Sequence, residues 1–282
     1  DNGSTDGTIE ILKNFQIPIS NFQLIFNKKN LGLAAGHNIG IRKSKGEFIL
    51  CLNHDVILDK DFIQKAVGIF KKDAKIGAVQ GKLLKWEQEL GMIDTTGLMI
   101  FKNRRVVNCG QGEKDAGQYD KEELIFGVDG AAPIYRKKAL EDIKIDNEYF
   151  DEDFFVYKED IDLSWRLRLA GWEIVYSPQA IAWHKRTSQK SRKEQPGYIK
   201  YYSFKNQHLM QIKNELPSLL FWHLPWILPR EIATWLYILF FERKTWPAIK
   251  KLFRQTPNAW RKRKIIMENK KIETKKIKKW FQ

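Results

Sequence analysis

Cysteine is nearly absent from this 282-residue chain, which has only Cys51 and Cys109. Two cysteines make no disulfide framework and fit a reducing compartment. Zinc-type Cys/His spacing, a heptad seam, internal repeats and low-complexity linkers are also missing. No G-x-G-x-x-G loop follows a strand-like run. The stretch GLAAGHNIG (Gly32–Gly40) has a different spacing, which argues against a dinucleotide-binding or nucleotidyltransferase enzyme. No RNA-binding aromatic motif accompanies the net charge of +15, so a nucleic-acid partner is not expected. A spanning helix needs about 20 apolar residues with few charges. The most apolar stretch, Leu216–Phe241, fails that test because Pro217, Pro225, Pro229 and Arg230-Glu231 interrupt it.

The charge that is present is unevenly placed. Residues 242–282 hold 15 Lys/Arg against 3 Asp/Glu, so most of the basicity lies in the C-terminal tail. Trp222, Trp226 and Trp235 precede that tail and suit a lipid headgroup region, while the tail suits anionic lipid. Residues 216–282 are therefore expected to be proline-broken helices lying in a membrane interface, with a buried C-terminal subdomain as the rival reading. The last stretch, Asn269–Gln282, reads as a frayed amphipathic helix or as disorder.

Upstream, a hydrophobic content of 43% allows a full core. Strand-like runs alternate with helix-like ones. Strands are expected at Phe22–Phe26, Phe48–Leu52, Gly77–Leu84, Ala132–Arg136 and Glu173–Tyr176. Helices are expected at Gly36–Ser44, Asp61–Lys72 and Lys137–Asp142, and again after Glu159. Such alternation predicts an α/β fold with a mainly parallel sheet. Residues 86–128, with Gly97, Gly110, Gly112 and Gly117, read as a β-rich excursion.

Three segments carry chemistry. DNGSTDGT (Asp1–Thr8) is a polar loop leading into a helix start, which suits a phosphate or nucleotide. The apolar strand at Phe48–Leu52 ends in Asn53-His54-Asp55. Ligands of open α/β sheets bind at such strand ends, where Asp55 could hold a divalent cation beside a diphosphate. Finally, FDEDFFVYKEDIDLSWRLRLAGWEIVYSPQAIAWH (Phe150–His184) places Glu159-Asp160 at a helix start. Free N–H groups there favour an ionised carboxylate, the form a general base requires.

Taken in order, DNGSTDGT, NLGLAAGHNIGI, FILCLNHD, FDEDFFVYKEDIDLSWRLRLAGW and His184 with Ser188 resemble a family 2 glycosyltransferase. The similarity is greatest to a bacterial rhamnosyltransferase-like branch and covers roughly residues 1–215. The resemblance implies a GT-A fold, a Rossmann-like α/β/α sandwich. It implies inverting transfer of a sugar from a nucleotide diphosphate to a glycan or lipid-linked hydroxyl, with Mg2+ or Mn2+. In such a family Asp1, Asn2, Gly3 and Ser4 would contact the nucleotide, together with Asn30, Gly32, Asn38 and Asn53. Gly130-Ala131 would lie beside the donor sugar, Asp55 and His184 would take the metal, and Asp160 would be the base with Glu159 as runner-up.

Asn53 stands where many members carry an acid, and His54 where Pro is commoner. The chain also opens without Met, in a motif that in this family follows a strand–helix–strand unit, so a preceding unit is expected. The donor would be dTDP-rhamnose or a UDP-sugar, and the expected location is the cytoplasmic face of the cell membrane, bound peripherally. The rival function is a non-catalytic, membrane-associated scaffold of the same fold.

Overall fold

The computed structural model describes residues 1–15, 22–86, 91–186 and 195–282. Its centre is a seven-stranded sheet. β1 (Phe48–Leu50), β8 (Ile134–Arg136), β3 (Ile76–Lys85), β9 (Glu173–His184) and β2 (Val56–Leu58) lie side by side in that order. β4 (Ile93–Thr95) pairs with β3 and β7 (Glu123–Leu124) with β9, while β5 (Leu98–Ile100) and β6 (Val106–Asn108) form a separate ribbon. The longest ladder, β3 with β9, is parallel, and every other named pair is antiparallel. The expected mainly parallel sheet is thus corrected to a mixed one. The chain turns back between β1 and β2, so β2 lies antiparallel to β9 at the sheet edge.

Side chains of the central strands alternate between two cores, as the period of two requires. Ala78 and Ile174 face α2 (Leu33–Lys43), α4 (Lys137–Ile143) and α5 (Glu159–Leu169). Their chain neighbours Val79 and Val175 face α3 (Phe62–Phe70). The result is an α/β/α sandwich. A third layer of α6 (Gly197–Asn214), α7 (Pro217–Phe241), α8 (Trp246–Glu268) and α9 (Thr274–Lys278) then covers the outer side of α5 through Ile161, Trp165 and Leu169. A short α1 (Thr8–Asn14) follows the opening loop.

Lying between two layers, α5 is buried nearly all round, including Asp162, Arg166 and Arg168. Those charges are satisfied internally. Arg166 donates to Asp162 (2.9 Å) and to the carbonyl oxygens of Ile143 and Tyr149, and Arg168 donates to those of Phe126 and Ile174.

The C-terminal layer differs from its expected form in two ways. α7 runs unbroken through Pro225 and Pro229. Both prolines lie on its exposed face, so neither ring is forced into the packed side of the helix. The end of the chain is docked: Phe281 is buried against Trp165 and lies under the Arg104 guanidinium, and Gln282 exchanges backbone hydrogen bonds with Ile100 and Lys102. An apolar Trp280-Phe281 pair at the end of a basic tail accounts for that docking. Phe22–Phe26 forms no named strand. Its backbone contacts in the described residues are to Asp1, whose amino group donates to Ile25 O and whose carbonyl accepts from Asn27 N. Among the described residues, no helix is long and apolar enough to cross a membrane.

Candidate active site

Four chain segments converge at one end of the sheet. The turn after β1 donates Asn53 N–H to Ala131 O (2.9 Å), joining it to the loop before β8. In that loop Gly130 N–H donates to Asp160 Oδ2 (3.0 Å), which joins it to the start of α5. β2 pairs Val56 with His184 at the end of β9, and Lys185 N–H donates to Asp55 O (2.9 Å). The Asn53–Asp55 turn therefore lies between the Asp160 segment and His184.

His184 is buried, with Nε2 3.4 Å from Asp55 Oδ1 and Nδ1 2.8 Å from Asp94 Oδ2. β4 reaches this point through a bulge: Leu83 pairs with Thr95 and Leu84 with Ile93, leaving Asp94 as the extra residue. Bulges re-aim side chains in this way beside functional sites. Asp94 also accepts from Arg186 Nε (2.7 Å) and Nη2 (3.0 Å), and Arg186 Nη2 reaches Asp129 Oδ2 (3.0 Å). Burial would raise the Asp94 carboxyl, but hydrogen bonds and charge from His184 and Arg186 outweigh it and hold it below its usual value. His184 thus turns Nδ1 to Asp94 and Nε2 to the Asp55 side. A metal-ligating histidine is commonly oriented by such a carboxylate.

The residues present fit a divalent cation in part. Asp55 Oδ1 is buried without a hydrogen-bond partner among the described residues, and it faces His184 Nε2. Among the described residues no group of three or more His, Cys, Asp or Glu could hold a metal. Further ligands would have to come from a diphosphate and water.

Glu159 and Asp160 share the first turn of α5 but not its environment. Glu159 is 5% exposed, and its Oε2 has no partner. Burial, reinforced by the Asp160 charge, pushes Glu159 up to about 8. Asp160 is half-buried and accepts from Gly130 N–H and Ile161 N–H. Burial and the Asp129 charge still raise it to about 6. Both acids are thus raised, Glu159 further than Asp160, the kind of separation by which two acids take different roles.

The loop before them is strained. Phe155, Tyr157 and Lys158 all have positive φ (65°, 69° and 68°), a conformation costly for residues with a Cβ. Asn206 of α6 braces it by donating to the carbonyl oxygens of Phe154, Val156 and Tyr157.

The opening loop is built as a cup. The Asp1 carboxylate accepts from Gly3 N–H and Ser4 N–H (both 2.8 Å) and from Ser4 Oγ (2.5 Å). Asn2 donates to Asn30 Oδ1 and Gly32 O and accepts from Asn27 Nδ2 and Leu31 N–H, tying residues 1–4 to residues 27–32. Gly3 is required because a Cβ would lie 2.8 Å from Lys29 backbone. Gly32 is required because a Cβ would lie 2.5 Å from the Phe155 ring. Asn38 is a correction. It is completely buried, donating to Phe150 O and Glu152 and accepting from Tyr149 N–H and Phe150 N–H. Its amide braces residues 149–152 from within and is not available to a nucleotide. Ala131 is buried as well, so Gly130 supplies the open part of that turn. Ser188 lies outside the described residues.

Asp94, Asp129 and Arg186 were missed in the sequence. Their only local signal was a lone acid before a small-residue turn (IDTTG), another before Gly130, and a base two residues after His184.

Comparison with known proteins agrees with this architecture. Residues 1–144 match the model of Glycosyl transferase family 2, and the chain belongs to that family. It is 31% identical over 184 residues to a poly-beta-1,6-N-acetyl-D-glucosamine synthase of Staphylococcus epidermidis, and 30% identical over 185 residues to the Staphylococcus aureus synthase of the same name. Each match covers 64% of this chain but only 40% of the relative, so the chain spans well under half of their length. Solved structures share the GT-A fold. S. aureus TarS 1–349 in complex with UDP-GlcNAc has a TM-score of 0.55 at 15% identity, covering 95% of this chain and 78% of that one. Mannosyltransferase PcManGT from Pyrobaculum calidifontis, with GDP-Man and Mn2+, has a TM-score of 0.51 at 14% identity, covering 95% and 74%. The rhamnosyltransferase-like branch is not supported by these relatives, which are N-acetylglucosamine polymer synthases.

Proposed function

We propose that the chain is an inverting glycosyltransferase that moves a sugar from a nucleotide diphosphate to a hydroxyl of a glycan or lipid-linked glycan in cell-surface polysaccharide synthesis. One observation carries the reading: the Asn53–Ala131 and Gly130–Asp160 bonds bring a carboxylate–histidine pair and an ionised carboxylate to the same strand ends. The relatives favour a UDP-linked N-acetylhexosamine as donor over dTDP-rhamnose.

In this reading the cup of residues 1–4 and 27–32 receives the nucleotide, with Asn53 beside it. Asp55 and His184 would hold a Mg2+ or Mn2+ ion, which when bound neutralises the diphosphate and eases its departure. Asp94 keeps His184 in the required tautomer. Asp160 Oδ accepts the proton of the acceptor hydroxyl while that oxygen attacks the anomeric carbon opposite the leaving diphosphate. Glu159, protonated, adds no second negative charge beside it. Gly130 leaves room for the donor sugar next to Asp160.

Membrane attachment is part of the proposal. α7 exposes Phe221, Trp222, Leu228, Ile232, Leu236 and Phe240 at near-helical spacing, and the basic α8 flanks it. That face would lie in the headgroup region of an anionic membrane without spanning it. The test is a panel of UDP-, GDP- and dTDP-sugars with Mn2+, read as nucleotide diphosphate release with and without glycan acceptors. Release confined to UDP-N-acetylhexosamines supports the donor. Binding without turnover of any donor or acceptor would instead favour a non-catalytic scaffold.

A further inference from the structure

A cavity of about 250 Å3 opens between α6, α7 and Lys158, the residue before α5. It is lined by charge: Lys158, Lys200, His208, Arg230, Glu231 and Glu242. Both acids are already engaged. Glu231 Oε2 meets His208 Nε2 at 2.9 Å and its Oε1 meets Arg230 Nη1 at 3.3 Å, while Glu242 meets Lys200 Nζ at 2.8 Å. The Lys158 ammonium makes no hydrogen bond or ion pair with any described residue; Arg230 is near enough to repel it, and the Asp160 and Glu159 charges act on it only at longer range. An ammonium left over beside a guanidinium, in a cavity whose two lining carboxylates are both paired, has no anion in direct contact.

We propose that this cavity binds a phosphoryl group of the acceptor, with Lys158 as its principal cation and Arg230 beside it. Three further features fit. Lys158 is two residues from Asp160, and two residues of chain span at most about 7 Å. A phosphate held there would leave a neighbouring hydroxyl within reach of the base. The left-handed backbone of Lys158, in the strained loop braced by Asn206, fixes where its side chain starts. Burial, then Arg230, draws the ammonium down to about 8, and a bound anion would favour its charged form. The phosphate could belong to a lipid headgroup, since α7 lines the cavity on one side and exposes apolar residues on another. It could equally belong to a phosphate-bearing glycan or polyol. The acceptor role rests on the glycosyltransferase reading, but the binding does not.

The test is calorimetric titration of the full chain with glycerol 3-phosphate, in wild type and in Lys158→Met and Lys158→Arg. Affinity for UDP with Mn2+ serves as the check that each variant is folded. Saturable binding is expected in wild type, at least tenfold weaker in Lys158→Met, largely kept in Lys158→Arg, and unaffected by saturating UDP. The second arm measures flotation with phosphatidate vesicles against neutral vesicles. Binding of glycerol phosphate in solution assigns the site to a phosphate-bearing glycan. Lys158-dependent binding of phosphatidate vesicles alone assigns it to a lipid. Equal behaviour of wild type and Lys158→Met in both arms, or displacement by UDP, overturns the proposal. Loss of donor turnover with phosphate binding intact would defeat the transferase reading and leave this site standing.

Discussion

The pH dependence of turnover tests the assignment of the base most directly. Asp160 is raised to about 6 by burial and by Asp129, against two backbone N–H groups that favour its charge. A base must be ionised to accept a proton, so the rate should rise with pH through about 6. At pH 5 about one molecule in ten carries the ionised form, and at pH 7 about nine in ten, so kcat/KM should fall about tenfold between them. Asp129→Asn removes the neighbouring charge while keeping an oxygen for Ala131 N–H, and the rising limb should move to lower pH. Asp160→Asn should remove the limb altogether and lower the rate roughly a hundred- to ten-thousand-fold, with nucleotide affinity kept. The assay is initial-rate release of nucleotide diphosphate from pH 4.5 to 9 at saturating metal. A limb near pH 4 that Asp129→Asn does not move would refute the electrostatic reasoning. Near-normal turnover of Asp160→Asn, with Glu159→Gln inactive, would transfer the role to Glu159.

Other expectations follow from the same geometry. Asp94→Asn should weaken Mn2+-dependent nucleotide diphosphate binding roughly 10- to 100-fold by calorimetry, because His184 loses the carboxylate that fixes its tautomer. Unchanged metal dependence would remove His184 from the ligand set. Glu159 has a raised folded pKa of about 8, so its contribution favours the fold below its unfolded value and is lost as pH rises toward 8. Glu159→Gln should therefore raise Tm more at pH 8.5 than at pH 5, and an equal change at both would contradict the burial argument. Asn38→Ala leaves buried backbone groups of residues 149–152 unpaired, at about 1–3 kcal/mol for each one left unsatisfied. Denaturant melts should show that loss, whereas intact stability with weakened nucleotide binding would return Asn38 to the binding loop. Replacing Phe221 and Trp222 by Ser should reduce flotation with anionic vesicles without lowering Tm, since both are exposed. Unaltered flotation would argue that α7 faces something other than lipid.

What could be read from the chain was what neighbours in sequence encode. Asn53–Asp55 at the end of an apolar strand and Glu159-Asp160 at a helix start need only local chemistry to be seen. Asp94 and Arg186 become site residues through the long β3–β9 ladder and the bulge in β4, which bring together residues 92 apart in sequence. Asn38 was misread because the same amide serves equally well to bind a ligand or to satisfy a buried loop, and only burial distinguishes the two. The prolines of α7 read as breaks because their cost was assigned without knowing that both fall on the unpacked face. The mixed sheet followed from pairings that alternation of elements does not specify.

The bulge at Asp94 also bears on how this protein can change over generations. In most loops a gained or lost residue alters length alone. Between Ile93 and Thr95 a one-residue deletion would restore a regular ladder, and so remove the carboxylate that orients His184. The sheet would be more regular and the enzyme impaired, so descent should tolerate substitutions in β4 far more readily than changes in its length.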